Sequence, residues 1–341
     1  MLGEARSLLT PLAAALYDGD DAAIAKAIDT AFVPDATVHL CHPLGDLTPT
    51  GLAEIYAALR RAMPDLERRE WIRMAGQDDH GHLWVGSGAT LIGTFAAPWL
   101  DIPPTGHLAH MRCHDFFRIE GGRIVEMQAL WDIPELMMQA KAWPLAPSLG
   151  RDWHVPGPAT CDGLGPHGAN GIETRDTIKT MLDHMKRHPS QGGPEVMEME
   201  RFWHPRMTWY GPAGIGTGRG IAGFRNWHQI PFLAAMPDRG QYVEDITYHF
   251  FGEGDYAAVT GWPNMIQTIT DPGWLGIAPA GQRVTMRSLD FWRLERGLIR
   301  ENWVLVDLLD VLDQVGIDAL ARMREFNKAR PGFDPDTGHA L

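Results

Sequence analysis

RIEGGRIVEMQALWD, at residues 118–132, recurs as RLERGLIRENWVLVD at residues 293–307. The copies lie 175 residues apart, and seven of their fifteen positions are identical, including the aspartate that closes each copy. Each copy consists of two β-rich runs around a turn signal, Gly121-Gly122 in the first and Arg296-Gly297 in the second, which is typical of a β-hairpin. The fold should therefore contain the same hairpin twice.

The repeat extends upstream of this hairpin. Three further blocks match in the same order: MRCHDFF with MRSLDFW (111–117 and 286–292), APWLDIPPTGH with PGWLGIAPAGQ (97–107 and 272–282), and MPD with MPD (63–65 and 236–238). Four ordered matches indicate a tandem duplication, and a period near 170 residues means two whole domains rather than a solenoid.

Composition excludes several classes of protein. The chain has 341 residues, 45% of them hydrophobic and 21% charged, which fits a globular protein of two domains. Its net charge is −13, and Lys and Arg form no separate cluster, so neither nucleic acid nor a membrane is an expected partner. A small-molecule substrate is the expected partner.

Cysteines and the N-terminal residues argue against other features. The three cysteines form no CxxC pair, so neither a zinc ribbon nor a disulfide framework is predicted. The first twenty residues include four charged side chains and no continuous apolar segment, which disfavours a signal peptide. No apolar run approaches the roughly 20 residues that span a bilayer. We expect a cytoplasmic protein.

Glycine and proline mark a boundary near the middle of the chain. The stretch RDWHVPGPATCDGLGPHGAN, at 151–170, is rich in both residues and lacks periodicity, as expected of a linker. The predicted segments are a first domain at 1–150, a linker at 151–171, a second domain at 172–327 and a tail at 328–341.

Both halves show the same order of predicted elements. Two helical patterns come first, then a short strand, then a helix that ends at Met-Pro-Asp because proline cannot continue it, and finally four β-rich runs. This order predicts an α+β domain in which helices cover one face of a curved antiparallel sheet and enclose a conical cavity. The predicted ranges are 5–17, 21–32, 36–40 and 51–62 in the first half, and 174–188, 195–202, 206–210, 221–235, 240–251, 256–270, 282–294 and 298–306 in the second.

Two long stretches carry a resemblance to a known family. They are FWHPRMTWYGPAGIGTGRGIAGFRNWHQIPFLAAMPDR at 202–239 and VTMRSLDFWRLERGLIRENWVLVDLLDVLDQVG at 284–316. They resemble the SnoaL-like polyketide cyclases of the NTF2-like, or ketosteroid-isomerase-like, superfamily, and the first half resembles them from Met63 onward. The resemblance implies two tandem cone domains whose sheets pack together as an intramolecular pseudo-dimer. It leaves open a homodimer of this pseudo-dimeric chain.

The resemblance also assigns a role to the repeated aspartate. In these cyclases an aspartate at the end of the last strand is the acid/base of an aldol ring closure that needs no metal or cofactor. Asp307 matches it, and Asp132 is its duplicate. A carboxylate in an apolar cone has its pKa raised toward proton transfer. Both aspartates could instead be N-caps of the helices that follow, since Asp is favoured there.

Strand alternation predicts which side chains accompany these aspartates. Gln128 shares the face of Asp132, and Trp303 shares the face of Asp307, so that each strand would give the cavity a mixed polar and apolar stripe. A partly solvated sheet face is the alternative. On the neighbouring strand, Arg112 and its duplicate Arg287 are candidate clamps for a carboxylate or enolate oxygen. Each could instead form an ion pair with Asp115, Asp290 or a glutamate.

The first half has histidines that the second lacks, and they are candidates for acid/base groups. No HxH or HExxH spacing occurs among the five expected around the cone mouth, which are His39, His42, His107, His110 and His114. On a strand, His110 and His114 lie about 13 Å apart, too far to chelate one ion. No metal site is therefore predicted.

The remaining candidate for catalysis is His110. The candidates for substrate binding are His39, His42, His114, Gln128, Trp131, Trp209, Trp262, Asn264 and Trp303. The ordinary alternative for the tryptophans is a place in the core.

The function predicted on this basis is a cofactor-independent proton transfer next to a carbonyl, as in a cyclase, isomerase or lyase. A second hypothesis is an enzyme that acts on a carbohydrate or a small hydroxyketone in the more polar first cone. A third is a binding protein without catalysis. Because the copies differ at positions predicted to line the cavities, we expect one cone to be catalytic and favour the first for polar substrates.

Overall fold

The computed structural model describes residues 2–169, 171–271, 274–277 and 280–329. Each half of the chain folds into a curved six-stranded sheet with helices on its concave face, which confirms the predicted α+β architecture. The predicted tail lies outside the described residues beyond Ala329.

The first sheet has the strand order β2-β1-β6-β5-β4-β3. Its strands β1 and β6 pair in parallel, and the other pairs are antiparallel. The elements are α1 Leu2–Leu8, α2 Thr10–Asp18, α3 Asp21–Ala31, β1 Phe32–Leu40, β2 Gly45–Leu47, α4 Pro49–Ala62, β3 Glu67–Gln77, β4 Leu83–Thr94, β5 Leu108–Glu120, β6 Arg123–Trp131 and α5 Ile133–Gln139.

The second sheet repeats this topology in the order β8-β7-β14-β13-β10-β9, and β11 pairs with β12 as a separate ribbon. A π-helical turn at Arg225–Gln229 joins α8 to α9. The elements are α6 Gly171–Met185, α7 Met199–Phe202, β7 Trp203–Tyr210, β8 Thr217–Arg219, α8 Gly220–Phe224, α9 Ile230–Ala235, β9 His249–Glu253, β10 Tyr256–Thr260, β11 Met265–Thr268, β12 Arg283–Met286, β13 Ser288–Glu295, β14 Leu298–Val306, α10 Leu308–Gln314 and α11 Ala319–Asn327.

Local signals explain several boundaries. Helices α4 and α9 end at Ala62 and Ala235, directly before Met-Pro-Asp, as predicted. Thr48 caps α4 by accepting a hydrogen bond from the amide of Gly51. At the repeated hairpin turn, Gly122 and Gly297 both have φ of 78°, a conformation that glycine adopts without a Cβ clash.

The second sheet departs from the prediction at its outer edge. Residues 240–248 were predicted as part of a strand, but they form a loop with one short 3₁₀ turn, and β9 begins only at His249. The run predicted at 256–270 is divided between β10 and β11. Pro263 lies in the gap, where it has no backbone N–H for the ladder. The second domain therefore has a shorter outer wall than the first, whose β3 has eleven residues.

The two sheets pack through their convex faces, which confirms the predicted pseudo-dimer. Phe116 and Phe291, which occupy equivalent positions of the repeat, stack with ring centroids 5.0 Å apart, and both are fully buried. Beside them, His114 Nδ1 donates to the carbonyl of Leu289 across the interface at 2.7 Å. These contacts bury one face of each central strand against the other domain.

The repeated aspartates form matching hydrogen bonds across this interface. Asp132 Oδ2 accepts a hydrogen bond from the amide of Ala213 in the second domain at 2.9 Å. Asp307 Oδ2 accepts one from the amide of His42 in the first domain at 3.0 Å. His42 and Ala213 are equivalent when β1 and β7 are aligned, because Thr37 and Thr208 pair with the equivalent glutamates of β6 and β14. Each domain therefore ends its last strand on a carboxylate that binds the other domain.

The segment predicted as a linker is held against both domains. Trp303 Nε1 donates to the carbonyl of Pro156, and the amide of Ala159 donates to Glu301, both in the second domain. In the first domain, the amide of Arg73 donates to the carbonyl of Gly163. The connection is thus a strap across the interface rather than a free tether. Among the described residues, no helix is both long and apolar enough to cross a membrane.

Arg112 and Arg287 provide a matched test of this interface. The buried Arg112 guanidinium donates to the carbonyls of Tyr210, Gly211 and Val304 in the other domain. Replacing Arg112 with Ala should lower the free energy of unfolding by about 3–5 kcal/mol, because these buried carbonyls and Asp132 lose their partner. Arg287 is 23% exposed, and Arg287→Ala should cost roughly 1 kcal/mol. Urea unfolding of both variants would measure the difference, and equal losses would contradict this account.

Candidate active site

A cavity of about 430 Å³ opens into the cone of the second domain. Its walls come from α6, the loop at 240–248 and strands β9, β10, β11 and β13. A smaller chamber of about 90 Å³ adjoins it, and the residues that line both are Leu182, Arg239, Met265, Ser288, Asp290 and Trp292. This volume is in the range that holds a small ring-shaped metabolite.

Large side chains of the first cone have smaller or absent counterparts around the cavity and the smaller chamber of the second. Trp131 fills the first cone, and the equivalent residue is Val306. Tyr56 packs on Trp131 at 5.2 Å, and its counterpart, counted back from Met-Pro-Asp, is Gln229. Arg68 projects from β3 into the first cone, whereas the corresponding part of the second domain is the loop before β9.

Asp290 is the acidic group at the centre of the open cone. Its Oδ1 accepts a hydrogen bond from the hydroxyl of Ser288 at 2.7 Å. Burial raises the pKa of Asp290 to about 7, and the Ser288 hydrogen bond and the positive charge of Arg239 oppose this rise. A carboxyl group of this kind exchanges protons near neutral pH, which is what general acid/base catalysis requires.

Polar side chains surround Asp290 in an apolar wall. Asn264 is fixed by two hydrogen bonds with the backbone of Ser288, one donated and one accepted. His228 stacks on Trp209 with centroids 4.1 Å apart, and burial lowers its pKa to about 3, so that it remains neutral. Within the described ranges, His228 Nδ1 and the Trp292 indole N–H have no hydrogen-bond partner. Unsatisfied buried polar atoms that border a cavity are available to a ligand or water.

The first cone is closed, contrary to our expectation that it would be the active one. Only about 10 Å³ remains beside Asp115, the duplicate of Asp290. Arg68 pairs with Asp115 at 2.7 Å and also donates to Ser87, whose hydroxyl donates to Glu70. Burial raises the pKa of Asp115, although Arg68 opposes it. The site is therefore occupied by the protein's own side chains.

Asp132 and Asp307 lie at the domain interface, each bound to the other domain, and not in the cone cavities where we expected them. Burial raises the pKa of Asp132 to about 7, with a further contribution from Glu135. Burial likewise raises the pKa of Asp307 to about 6, and its Oδ1 accepts from the amide of Asp310 as a helix cap. Asp132 also borders a separate interface cavity of about 220 Å³ with His110.

The other candidates follow the same division. Only Trp209 and Asn264 line the cavity of the second cone. His114, Gln128 and Trp303 contact the opposite domain or the strap, through Leu289, Thr260 and Pro156 respectively. Arg112 and Arg287 lie beside the interface aspartates, and the amide of His42 donates to Asp307. Trp131 lies inside the closed cone, and His110 lies near Glu135. His39 pairs with Asp46 and stacks on Trp262.

These errors have one cause. Strand alternation correctly predicted which side chains share a face of each strand, but it assigned the wrong face to the cone. The face with Asp132 and Gln128 is directed at the other domain, and the side chains between them are directed into the cone. Asp290 was considered only as an ion-pair partner. Its position between Leu289 and the pair Phe291-Trp292, repeated at Asp115 between His114 and Phe116-Phe117, could have marked a buried carboxyl group.

A group that could hold a metal ion was also overlooked. Asp78, His82 and His249 bring three potential ligand atoms within 4.8 Å of one another near the mouth of the cavity. The sequence offered only a partial signal, because His80-Gly81-His82 has the HxH spacing that the other histidines lack, but only His82 of this pair belongs to the group.

Comparison with protein families agrees with the duplicated architecture. Residues 9–140 and 193–315 match the family model described as SnoaL-like polyketide cyclase. Among solved structures, the chain is similar to IdmH from Streptomyces antibioticus, with 21% identity over 40% of this chain and 98% of that one and a TM-score of 0.35. A protein of ketosteroid isomerase-like fold from Catenulispora acidiphila has 18% identity over 39% of this chain and 92% of its own, with a TM-score of 0.31. A comparison with curated proteins finds no match.

The raised pKa of Asp290 predicts a pH-dependent stability. The unfolded carboxyl group ionises near its ordinary pKa of 3.8, whereas the folded one stays protonated up to about 7. Its contribution to folding should therefore weaken as pH rises from about 4 to about 7, because the unfolded state releases its proton first. Asp290→Asn removes this contribution, so the stability of the variant relative to wild type should rise across that window in urea unfolding. The exposed Asp35→Asn serves as the control, and a parallel pH profile for Asp290→Asn would contradict the assignment.

Proposed function

Since the chain belongs to the SnoaL-like polyketide cyclase family, we propose that the second cone is a cyclase- or isomerase-type active site in which Asp290 transfers the proton. The observation that carries this proposal is the half-buried carboxyl group of Asp290 in the wall of an open cavity, with a pKa of about 7. The substrate that suits this cavity is a ring-shaped or polyketide-like metabolite that has an acidic C–H next to a carbonyl.

The walls of the cavity support this class of substrate. Tyr248, Phe250 and Trp292 supply aromatic surface, which packs favourably against flat rings. Arg239 and Asn264 are the polar groups beside this surface, and both can donate hydrogen bonds to a carbonyl oxygen. A flat ketone can therefore bury its ring against the aromatic groups while its oxygen faces the donors.

The proposed reaction begins with Asp290 as a carboxylate. It removes a proton from the carbon next to the carbonyl, and the electron pair of the C–H bond forms an enolate. Arg239 lies close enough to Asp290 to lower its pKa, and its positive charge would stabilise the enolate oxygen. The protonated Asp290 then returns the proton, to another carbon in an isomerisation. In a ring closure the enolate carbon bonds to a second carbonyl, and the proton goes to the new alkoxide.

The first cone has a supporting role in this proposal. Its interior is filled by the Arg68–Asp115 pair and Trp131, so a substrate of comparable size has no room there. The hypothesis of a carbohydrate or hydroxyketone in the first cone is therefore not maintained. The first domain instead buries the convex face of the second and fixes strand β13, which carries both Ser288 and Asp290.

Duplication supplies a matched pair of variants for the proton transfer. α-Tetralone, a bicyclic ketone with exchangeable α-protons, is a suitable probe, and its deuterium exchange in D₂O can be followed by NMR. Asp290→Asn should lower the protein-catalysed exchange rate about 10²-fold or more, the usual effect of removing a general base. Asp115→Asn and Asp132→Asn should retain most of it. Exchange that depends on Asp132 instead, or α-tetralone binding without any exchange, would overturn this proposal.

The pH dependence of the same reaction is a second prediction. Only the carboxylate form of Asp290 accepts a proton, and its pKa is about 7. The catalysed exchange rate, corrected for exchange in buffer alone, should therefore increase about tenfold between pH 6 and pH 8. A rate that is constant across this range would exclude Asp290 as the base.

A further inference from the structure

Three histidine rings gather where the turn between β3 and β4 meets β9 of the other domain. His80 and His82 come from the turn, and His249 is the first residue of β9. The centroids of His80 and His82 lie 6.0 Å apart, and that of His249 lies 6.0 Å and 6.1 Å from them. The turn is fixed in place because Asp79 forms ion pairs with Arg175 and Lys179 of α6.

Asp78 lies at the centre of this cluster and is buried. Its Oδ1 accepts hydrogen bonds from the amides of His80 and His82, both at 2.9 Å. Its Oδ2 lies 2.6 Å from His249 Nδ1 and 3.3 Å from His82 Nδ1, and it accepts a hydrogen bond from the Trp84 indole at 3.1 Å. One carboxylate oxygen is thus held by the backbone, while the other is directed at two imidazole nitrogens.

We propose that Asp78, His82 and His249 bind a divalent transition-metal ion of the Zn²⁺ type. Two imidazoles and one carboxylate are a ligand set that such ions accept, and three protein ligands leave a further position for water. The three ligand atoms already lie within 4.8 Å of one another. Tetrahedral bonds of about 2.0–2.1 Å place ligand atoms roughly 3.4 Å apart, so small rotations of the rings would complete the geometry.

The surroundings have two further properties of a metal site. The amides of His80 and His82 and the indole of Trp84 orient the Asp78 carboxylate, as second-shell donors do around bound metals. The His82 side chain is 43% exposed, which gives an ion access from solvent. A hydrogen bond between the His249 imidazole and Asp78 joins the domains even without a metal. Metal-binding measurements distinguish a metal site from this hydrogen bond alone.

The proposed ion would connect the two domains, because two of its ligands come from the first and one from the second. It would also stabilise the mouth of the active-site cavity, since Asp79 and His80 form part of the cavity wall. Its role is therefore to hold the turn between β3 and β4 against β9 rather than to take part in proton transfer. Metal binding can be measured without any substrate, so its outcome is independent of the proposed function.

The test uses the full chain after treatment with a chelator. Zn²⁺ titrated into it should bind at one ion per chain in isothermal titration calorimetry and raise the melting temperature. Co²⁺ should give the visible d–d absorption of a site with nitrogen and oxygen ligands. His82→Ala and His249→Ala should each weaken Zn²⁺ binding about 100-fold or more, at least the effect of losing a second-shell partner. His80→Ala, in the same turn, should bind as wild type does.

Three results would overturn the proposal: no saturable binding of Zn²⁺ or Co²⁺, an affinity of His82→Ala equal to that of wild type, or an equal loss in His80→Ala. Circular dichroism establishes that each variant is folded. The partly exposed His82 makes the decisive variant, because its replacement leaves the buried Asp78 and the half-buried His249 in place.

Discussion

Phe116 and Phe291 hold equivalent places in the repeat and stack on one another at the centre of the molecule. They can touch only because the two sheets present their convex faces to each other. Since side chains alternate along a strand, every second residue beside them is directed at the other domain as well. The same constraint directs His114 toward Leu289 and Gln128 toward Thr260. It also brings the ends of the last strands close enough for each terminal aspartate to bind the opposite domain.

Once one face of each sheet is buried in the interface, the inner face of each cone can be either filled by side chains or left open. The first cone uses this freedom to fill itself with Trp131, Tyr56 and Arg68. The second has Val306 and Gln229 at two of these positions and a loop in place of the third. An unfilled cavity costs packing energy, so the second cone is the less stable arrangement and also the one that can admit a ligand. The closed cone and the interface supply the rigidity that the open cone lacks.

Buried carboxyl groups occur in both the interface and the cones, and a raised pKa does not by itself distinguish them. Asp132 and Asp290 both have a pKa of about 7, and in both burial is the main cause. They differ in what surrounds them. Asp132 Oδ2 accepts a hydrogen bond from a backbone amide of the other domain, and its side chain borders an interface cavity of about 220 Å³. Asp290 instead borders a cavity of about 430 Å³ inside the cone, beside Arg239 and Asn264. A raised pKa therefore indicates function only together with a cavity that is large enough for the substrate and lined by groups that can bind it.

The sequence by itself determined the duplication, the α+β class, the helix ends at Met-Pro-Asp and the repeated hairpin, because each depends on local periodicity or on a residue with a fixed backbone preference. It also grouped the side chains of each strand correctly. What it could not determine is which face of each strand is directed into the cone, because alternation places side chains on both faces equally. His114 and Asp115 are adjacent in the chain, yet one contacts the other domain and the other lies in the cone. The reciprocal bonds of Asp132 and Asp307, the open cavity around Asp290 and the meeting of His82 with His249 were decided only by the tertiary structure. The bonds of the aspartates and the meeting of the histidines join residues 81 to 265 positions apart, and the cavity depends on which side chains the folded sheet brings together; no local pattern records either.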